Sequence, residues 1–254
     1  MAVPGVRAEL LGLLERVRSA EVEPRDALEQ LGGLPFRDLG FARADLHREL
    51  RQGAPEAILG EGKTPAQVAA IARAMYDGGA GSVLVTRADE AARRAVREEI
   101  PEVEEHADAR LVWVARAVPE PRGLVTIVSA GTSDGPVVHE ARVRAELLGT
   151  EVILHEDAGV AGLHRLASVL PDLERADVVV VVAGMDGALA SVVGGLVAAP
   201  VIGVPTSVGY GVADGGRTAL HAMLTSCAAA LAVVGIDDGL GAGTIAARIA
   251  RGRD

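Results

Sequence analysis

A single cysteine, Cys227, stands in 254 residues, which excludes an intramolecular disulfide framework and a cysteine-based structural zinc site. Aromatic side chains are nearly missing. Phe36, Phe41, Tyr76, Trp113 and Tyr210 are the whole set, so the core must be built from Val, Leu, Ile and Ala. Lysine is rarer still: of 25 basic residues only Lys63 is not arginine. A lone lysine marks either a place that needs a compact, titratable ammonium or a survivor of compositional drift. Basic charge is short overall, 25 against 35 acidic groups for a net charge of −10. Such a chain is a poor general binder of nucleic acid or anionic membrane, and neither is expected as a partner. Long apolar runs are also absent. The stretch around Val178–Val182 falls far short of a bilayer span, and the leading MAVPGVRAELL meets Arg7 and Glu9 before any signal-like run forms. A cytoplasmic address is expected. The six histidines show no HxxxH or HExxH grouping, so no transition-metal site is expected and the ligands of any other metal stay unassigned.

What is present is the balance of a globular protein, 49% apolar and 24% charged, long enough for one large domain or two small ones. The first third reads as helical and irregular. An amphipathic helix is predicted over Val6–Arg18, and a second from Glu23-Pro24 to Leu31, stopped by Gly32-Gly33. A charge-dense segment follows over 34–62, and Thr64-Pro65 opens a helix to about Tyr76. Ser82–Thr86 and Arg110–Val118 are strand candidates around a helix at 88–99. Pro119-Glu-Pro-Arg-Gly123 punctuates the chain, dividing it into an N-terminal mixed region, 1–122, and an α/β domain, 123–254. In the second part, strands predicted at 124–129, 151–155, 177–183, 200–204 and 231–236 alternate with helices at about 135–148, 161–169, 187–198, 215–229 and 241–251. Runs such as ADVVVVVA suit strands buried on both faces, and the alternation predicts an open, doubly wound parallel sheet.

Ligands of such sheets bind beyond the carboxyl ends of the strands. The loops expected there are 129–135 (SAGTSDG), 155–159 (HEDAG), 183–187 (AGMDG), 205–211 (PTSVGYG) and 237–243 (DDGLGAG). They are rich in glycine and small hydroxyls, which expose amides to a phosphate. Turn and cap chemistry explains one such loop equally well; five on one edge favour a site. Gly131, Thr132, Ser133 and Asp134 are the best phosphate or sugar contacts. None of the five loops carries Lys or Arg, so the 37–63 segment, with Arg37, Arg43, Asp45, His47, Arg48, Arg51 and Lys63, is expected to cover the crevice from the same or a neighbouring subunit. Its plainer reading is a solvated face whose charges pair with one another. By helical spacing, Cys227 falls on the apolar stripe of a helix through 219–228 and reads as core, reactive only if it faces the crevice.

The motifs DLHRELRQGAPEAILGEGKT (45–64), SAGTSDG, GMDGAL (184–189), AAPVIGVPTSVGYG (198–211) and SCA…IDDGLGAG (226–243) occur in this order. The chain thereby resembles the phosphoribosylaminoimidazole (AIR) carboxylase, or PurE, superfamily, and within it the LarB family of nickel-pincer cofactor biosynthesis. The resemblance implies a PurE-like three-layer fold and a homo-oligomer, an octamer in that family. It implies carboxylation at carbon 5 of the pyridine ring of nicotinic acid adenine dinucleotide with CO2, and cleavage of its phosphoanhydride. The products are pyridinium-3,5-biscarboxylic acid mononucleotide and AMP. No tightly bound cofactor is implied, and Mg2+ would travel with the substrate phosphates. Cys227 matches the cysteine that adds covalently to the ring, and Asp186 the carboxylate that takes the ring proton, where the family usually has Glu. Ala190 stands where the family usually has Pro. By the same matching Gly184, Met185, Ser207, Gly209, Tyr210, Gly211, Asp237 and Gly239 line the nucleotide pocket. Arg48 and Lys63, with Asp45 and His47 nearby, would meet the nicotinate carboxylate or the pyrophosphate. The catalytic His of the purine-pathway branch has no counterpart in 184–191. An AIR carboxylase or mutase is therefore the second reading, and a nucleotide-binding regulatory subunit without turnover the third.

Overall fold

The computed structural model describes residues 6–31 and 36–252; the Gly32-Gly33 helix stop lies outside the described residues. The chain divides into two units, Met1–Pro119 and Glu120–Asp254.

In the first unit α1 (Val6–Arg18) and α2 (Pro24–Leu31) precede β1 (Phe36–Asp38) and β2 (Arg43–Asp45), an antiparallel pair. Then come α3 (Arg48–Gln52), β3 (Ala57–Leu59), α4 (Pro65–Asp77), β4 (Ser82–Thr86), α5 (Glu90–Glu99), β5 (Glu104–His106) and β6 (Leu111–Ala115). The last four strands form a mixed sheet in the order β3-β4-β6-β5. The start of α4 is fixed by a reciprocal cap: the Gln67 amide donates to Thr64 Oγ1, and the Thr64 amide donates to Gln67 Oε1. Its apolar face, with Val68, Ala72 and Met75, packs with Val83 and Val85 of β4 and Val112 of β6.

The second unit alternates strictly. β7 (Leu124–Ser129), α6 (Gly135–Leu147), β8 (Glu151–His155), α7 (Leu163–Arg175), β9 (Val178–Ala183), α8 (Ala188–Gly194), β10 (Val201–Pro205), α9 (Arg217–Leu224), β11 (Leu231–Val233) and α10 (Gly239–Arg251) follow in turn. The five strands are all parallel, in the order β11-β10-β9-β7-β8. Counted from β7, this is the flavodoxin-like order 2-1-3-4-5, whose direction reverses between β7 and β9. The period-2 geometry of β9 sends Val179 and Val181 to one face, among Leu166, Leu173, Leu189, Val193 and Met223 of α7, α8 and α9. It sends Val178, Val180 and Val182 to the other, among Val138, Ala141, Ala242 and Ala246 of α6 and α10. Each fully buried valine contributes about 1.5 kcal/mol or more, and all five are fully buried. The α6–α10 contact depends on glycine: a Cβ at Gly239 or Gly243 would run into the carbonyl oxygens of Val137 or Ala141. The doubly wound α/β architecture expected from the sequence is the one found.

Several boundaries differ from expectation. α7 runs on past 169 to Arg175 despite Pro171, because Leu166 and Leu173 on both sides of it are anchored in the core. α8 stops at Gly194-Gly195, not 198. α9 starts at Arg217, since Gly215 and Gly216 adopt positive φ, and it ends at Leu224 rather than 229. Strand β11 is three residues long. No helix among the described residues is long and apolar enough to cross a membrane.

Candidate functional site

The carboxyl edge of the parallel sheet gathers the loops after β7, β9 and β10. After β7, residues Thr132–Asp134 make a single 3-10 turn into α6. Thr132 and Ser133 are exposed, whereas Asp134 is only 3% exposed. Both of its oxygens are taken: Oδ2 accepts the Gly131 amide at 2.9 Å and Oδ1 accepts the Thr206 hydroxyl at 2.7 Å. Burial pushes the Asp134 carboxyl above its ordinary value, against the pull of those two hydrogen bonds, and the negative charge of Asp237 pushes the same way. Asp134 therefore braces the loop, leaving Thr132 and Ser133 to face solvent.

Thr206, wholly buried just beyond β10, is the hub that the sequence reading passed over. It bonds to Asp134 of the first loop, and its Oγ1 lies 2.7 Å from where a Cβ on Gly184 of the second would stand. Gly184 is needed at that spot, because any side chain would also strike the Val208 carbonyl. The Met185 amide donates to that carbonyl at 3.0 Å. A threonine at the end of a buried strand, followed by a Ser/Gly loop, was the available signal.

Around this hub the remaining residues sort by exposure. Asp186 is exposed, its Oδ1 accepting the Ala188 amide at 3.2 Å. Met185, at φ 54°, and Tyr210 are exposed apolar groups. Asp237, at φ 57°, accepts the Ser207 amide at 2.8 Å and so ties the β11 loop to the β10 loop. Ser207 and Gly211 are exposed, and Gly209 packs on Ala213. Gly239 is buried against Val137 and Glu140 at the start of α10.

Cys227 departs from its sequence reading. It is exposed, in irregular chain after α9. The helix ends because side chains intercept its last turn: Thr225 Oγ1 donates to the His221 carbonyl at 2.7 Å, and Ser226 Oγ takes the Ala228 amide at 3.1 Å. Helical spacing therefore does not carry on through 227, and the core reading of the thiol fails.

In the first unit Asp45, His47, Arg48 and Arg51 form one cluster. Asp45 accepts from Arg51 Nη2 at 2.7 Å and from Arg48 Nε at 3.4 Å; the Arg51 guanidinium holds its carboxyl below the ordinary value. Arg48 also lies 3.7 Å from Glu56, and Arg51 Nη1 lies 3.3 Å from His47 Nδ1. Lys63 donates to the Leu59 carbonyl at 2.8 Å and is exposed. Arg48 and Arg51 thus pair internally, as the plainer reading of this segment had it. Among the described residues no three His, Cys, Asp or Glu side chains group so as to hold a metal ion.

Residues 124–254 match the family model for AIR carboxylase, and residues 36–116 match the LarB/PurE-like N-terminal domain. The chain belongs to the LarB/PurE-like AIR carboxylase superfamily. This LarB/PurE-like chain is 37% identical over 218 residues to an uncharacterized protein of Methanocaldococcus jannaschii, covering 82% of this chain and 84% of that one. Among solved structures it is similar to PurE from Treponema denticola, at 24% identity and a TM-score of 0.41, over 50% of this chain and 80% of that one. A point variant of PurE2 from the same organism matches at 22% identity and a TM-score of 0.40, over 48% and 76% of the two chains.

Proposed function

We propose that this protein carboxylates the pyridine ring of nicotinic acid adenine dinucleotide at carbon 5 with CO2 and cleaves its phosphoanhydride. The products are pyridinium-3,5-biscarboxylic acid mononucleotide, used for nickel-pincer cofactor assembly, and AMP. The observation that carries the reading is Cys227: a thiol that helical spacing would bury is exposed, within a chain whose two family matches pair a LarB/PurE-like N-terminal domain with an AIR carboxylase domain.

The chemistry follows from electron count. A pyridinium carbon is electron-poor and does not attack CO2. Addition of the Cys227 thiolate at the ring carbon para to nitrogen forms a C–S bond and moves an electron pair onto nitrogen. The resulting enamine has a nucleophilic β carbon at position 5, which forms the C–C bond to CO2. Asp186 takes the proton from that carbon, the C–H electrons restore the ring and the thiolate leaves. Covalent addition splits one forbidding step into smaller ones. In a separate step, water attacks the phosphoanhydride and AMP departs.

Thr132, Ser133 and the amides at the start of α6 suit the pyrophosphate, and Mg2+ carried with it would offset the acidic edge. The exposed Met185 and Tyr210 suit the faces of the rings. Residues 184–191 contain no His, which disfavours the AIR carboxylase or mutase reaction.

Incubating the full chain with nicotinic acid adenine dinucleotide, Mg2+ and bicarbonate-equilibrated buffer, with mass analysis of products, tests the reading. AMP together with a dicarboxylated mononucleotide is the expected outcome. Turnover of aminoimidazole ribonucleotide instead selects the purine-pathway reaction, and saturable binding with no product selects a regulatory subunit.

A further inference from the structure

The thiol of Cys227 is held by its neighbours. Residues 226–228 are neither helix nor strand nor turn, and both residues flanking the thiol dock on α8. Ser191, in the middle of that helix, donates its hydroxyl to Ser226 Oγ at 2.8 Å. At its end, Gly194 receives Ala228: a Cβ on this glycine would stand 2.8 Å from the Ala228 Cβ. Ser191 and Gly194 are three residues apart and share one face of the helix. When residues two apart face one surface, as they do along a strand, the residue between them is turned away from it. Ser226 and Ala228 face α8, so Cys227 is turned outward, and it is exposed.

The local sequence does not supply this order by itself. Beyond Leu224 the chain reads TSCAAAL, and alanine is the best of helix formers. What ends the helix is the side chain of Ser226, and only in the rotamer that aims its oxygen at the Ala228 amide, 3.1 Å away. A hydroxyl oxygen has two lone pairs. On Ser226 one takes the Ala228 amide and the other takes the Ser191 hydroxyl, so Ser191 selects that rotamer. We propose that Ser191 is a positioning residue for the carboxylation: acting through Ser226, it fixes the direction in which the Cys227 thiol is presented. The inference rests on the proposed role of Cys227 as the covalent nucleophile. Ser191 itself touches no reacting atom, because its hydroxyl is spent on Ser226. Its effect is geometric. A thiolate must come within about 3–3.5 Å of the ring carbon on one line of approach, and a misplacement of about 1 Å can cost about 10²-fold. On a loosened segment the sulfur stays exposed but is rarely on that line.

Because Cys227 is the sole cysteine, a nitroxide attached to it reports its order without any substrate. In the full-length protein the spin-labelled wild type is expected to give a broad, restricted spectrum and Ser191→Ala a sharper, mobile one. Ser191→Thr, which keeps the hydroxyl, should return the restricted spectrum. Alanine suits the middle of a helix, so the fold is expected to survive the change. Unlabelled Ser191→Ala should lose at least about tenfold in kcat with the KM for the dinucleotide unchanged, and Ser191→Thr should recover it. A residue that acts through Ser226 has nothing left to act on once that hydroxyl is gone. Ser191→Ala should therefore add no further loss to Ser226→Ala in the double variant. Identical spectra for wild type and Ser191→Ala, losses that add in the double variant, or a kcat that Ser191→Thr fails to recover each overturn the inference. If the wild type makes no carboxylated product yet the spectra separate as stated, the positioning of the thiol stands and the proposed chemistry falls.

Discussion

Asp45 in the first unit sits against two guanidinium groups and releases its proton more readily than a carboxyl in water. Asp134 in the second sits 3% exposed, with a hydroxyl, an amide and no cation on its oxygens, and holds its proton more tightly. The contrast runs through the whole molecule. The first unit manages a dense charge load by pairing side chains: Arg43 with Asp38, Arg51 with Asp45, Arg73 with Asp77, Arg97 with Glu105. The second presents loops without Lys or Arg at its sheet edge and organises them with backbone amides and small hydroxyls. An edge of that kind can shape itself around a ligand, but the countercharge for an anionic ligand must arrive from outside it.

The largest expected effect that separates the two strategies lies at Thr206. Thr206→Val keeps the shape but strips a hydrogen bond from a buried carboxylate, a loss of about 2–3 kcal/mol, read as a lowered denaturant midpoint. An unchanged midpoint would mean that the second unit does not depend on its hydroxyl network. Next comes the pH dependence of stability. The folded-state pKa of Asp134 is raised, so between the ordinary carboxylate value and the raised one the native state holds more protons than the unfolded state. Stability therefore falls as pH rises through that window. Asp134→Asn, which keeps the shape and lets the Thr206 hydroxyl turn to accept, should flatten the slope. Asp45 has the opposite sign. Its folded-state pKa is lowered, so its contribution is complete above the unfolded value near 3.9 and is lost as pH falls through the folded one. The smallest effect follows from the same pair: Asp45→Asn should cost about 0.5–1 kcal/mol, as a half-exposed ion pair does. The same slope in both Asn variants would erase the contrast between the units.

The second unit was legible in sequence because its strands are continuous runs of Val, Ile and Leu closed by Gly or Asp. Leu124–Ser129 and Glu151–His155 fall where the residues put them. The first unit was legible only where Thr64-Pro65 and the SVLVT strand announce themselves. Its three-residue strands β1, β2, β3 and β5 are too short to show a period in any window. At the site, the loops were foreseen and their wiring was not. A Thr–Asp bond across 72 residues has no local pattern, and Cys227 was misplaced because apolar spacing in TSCAAAL persists where Thr225 and Ser226 have already ended the helix.

The covalent role of that thiol is tested most directly by turnover with isotopically labelled carbon dioxide in wild-type and Cys227→Ala protein. The account predicts labelled dicarboxylated mononucleotide from the wild type. From Cys227→Ala it predicts none, a drop of at least about 10³-fold, with dinucleotide affinity retained. Label incorporated by Cys227→Ala at a rate near that of the wild type would contradict it.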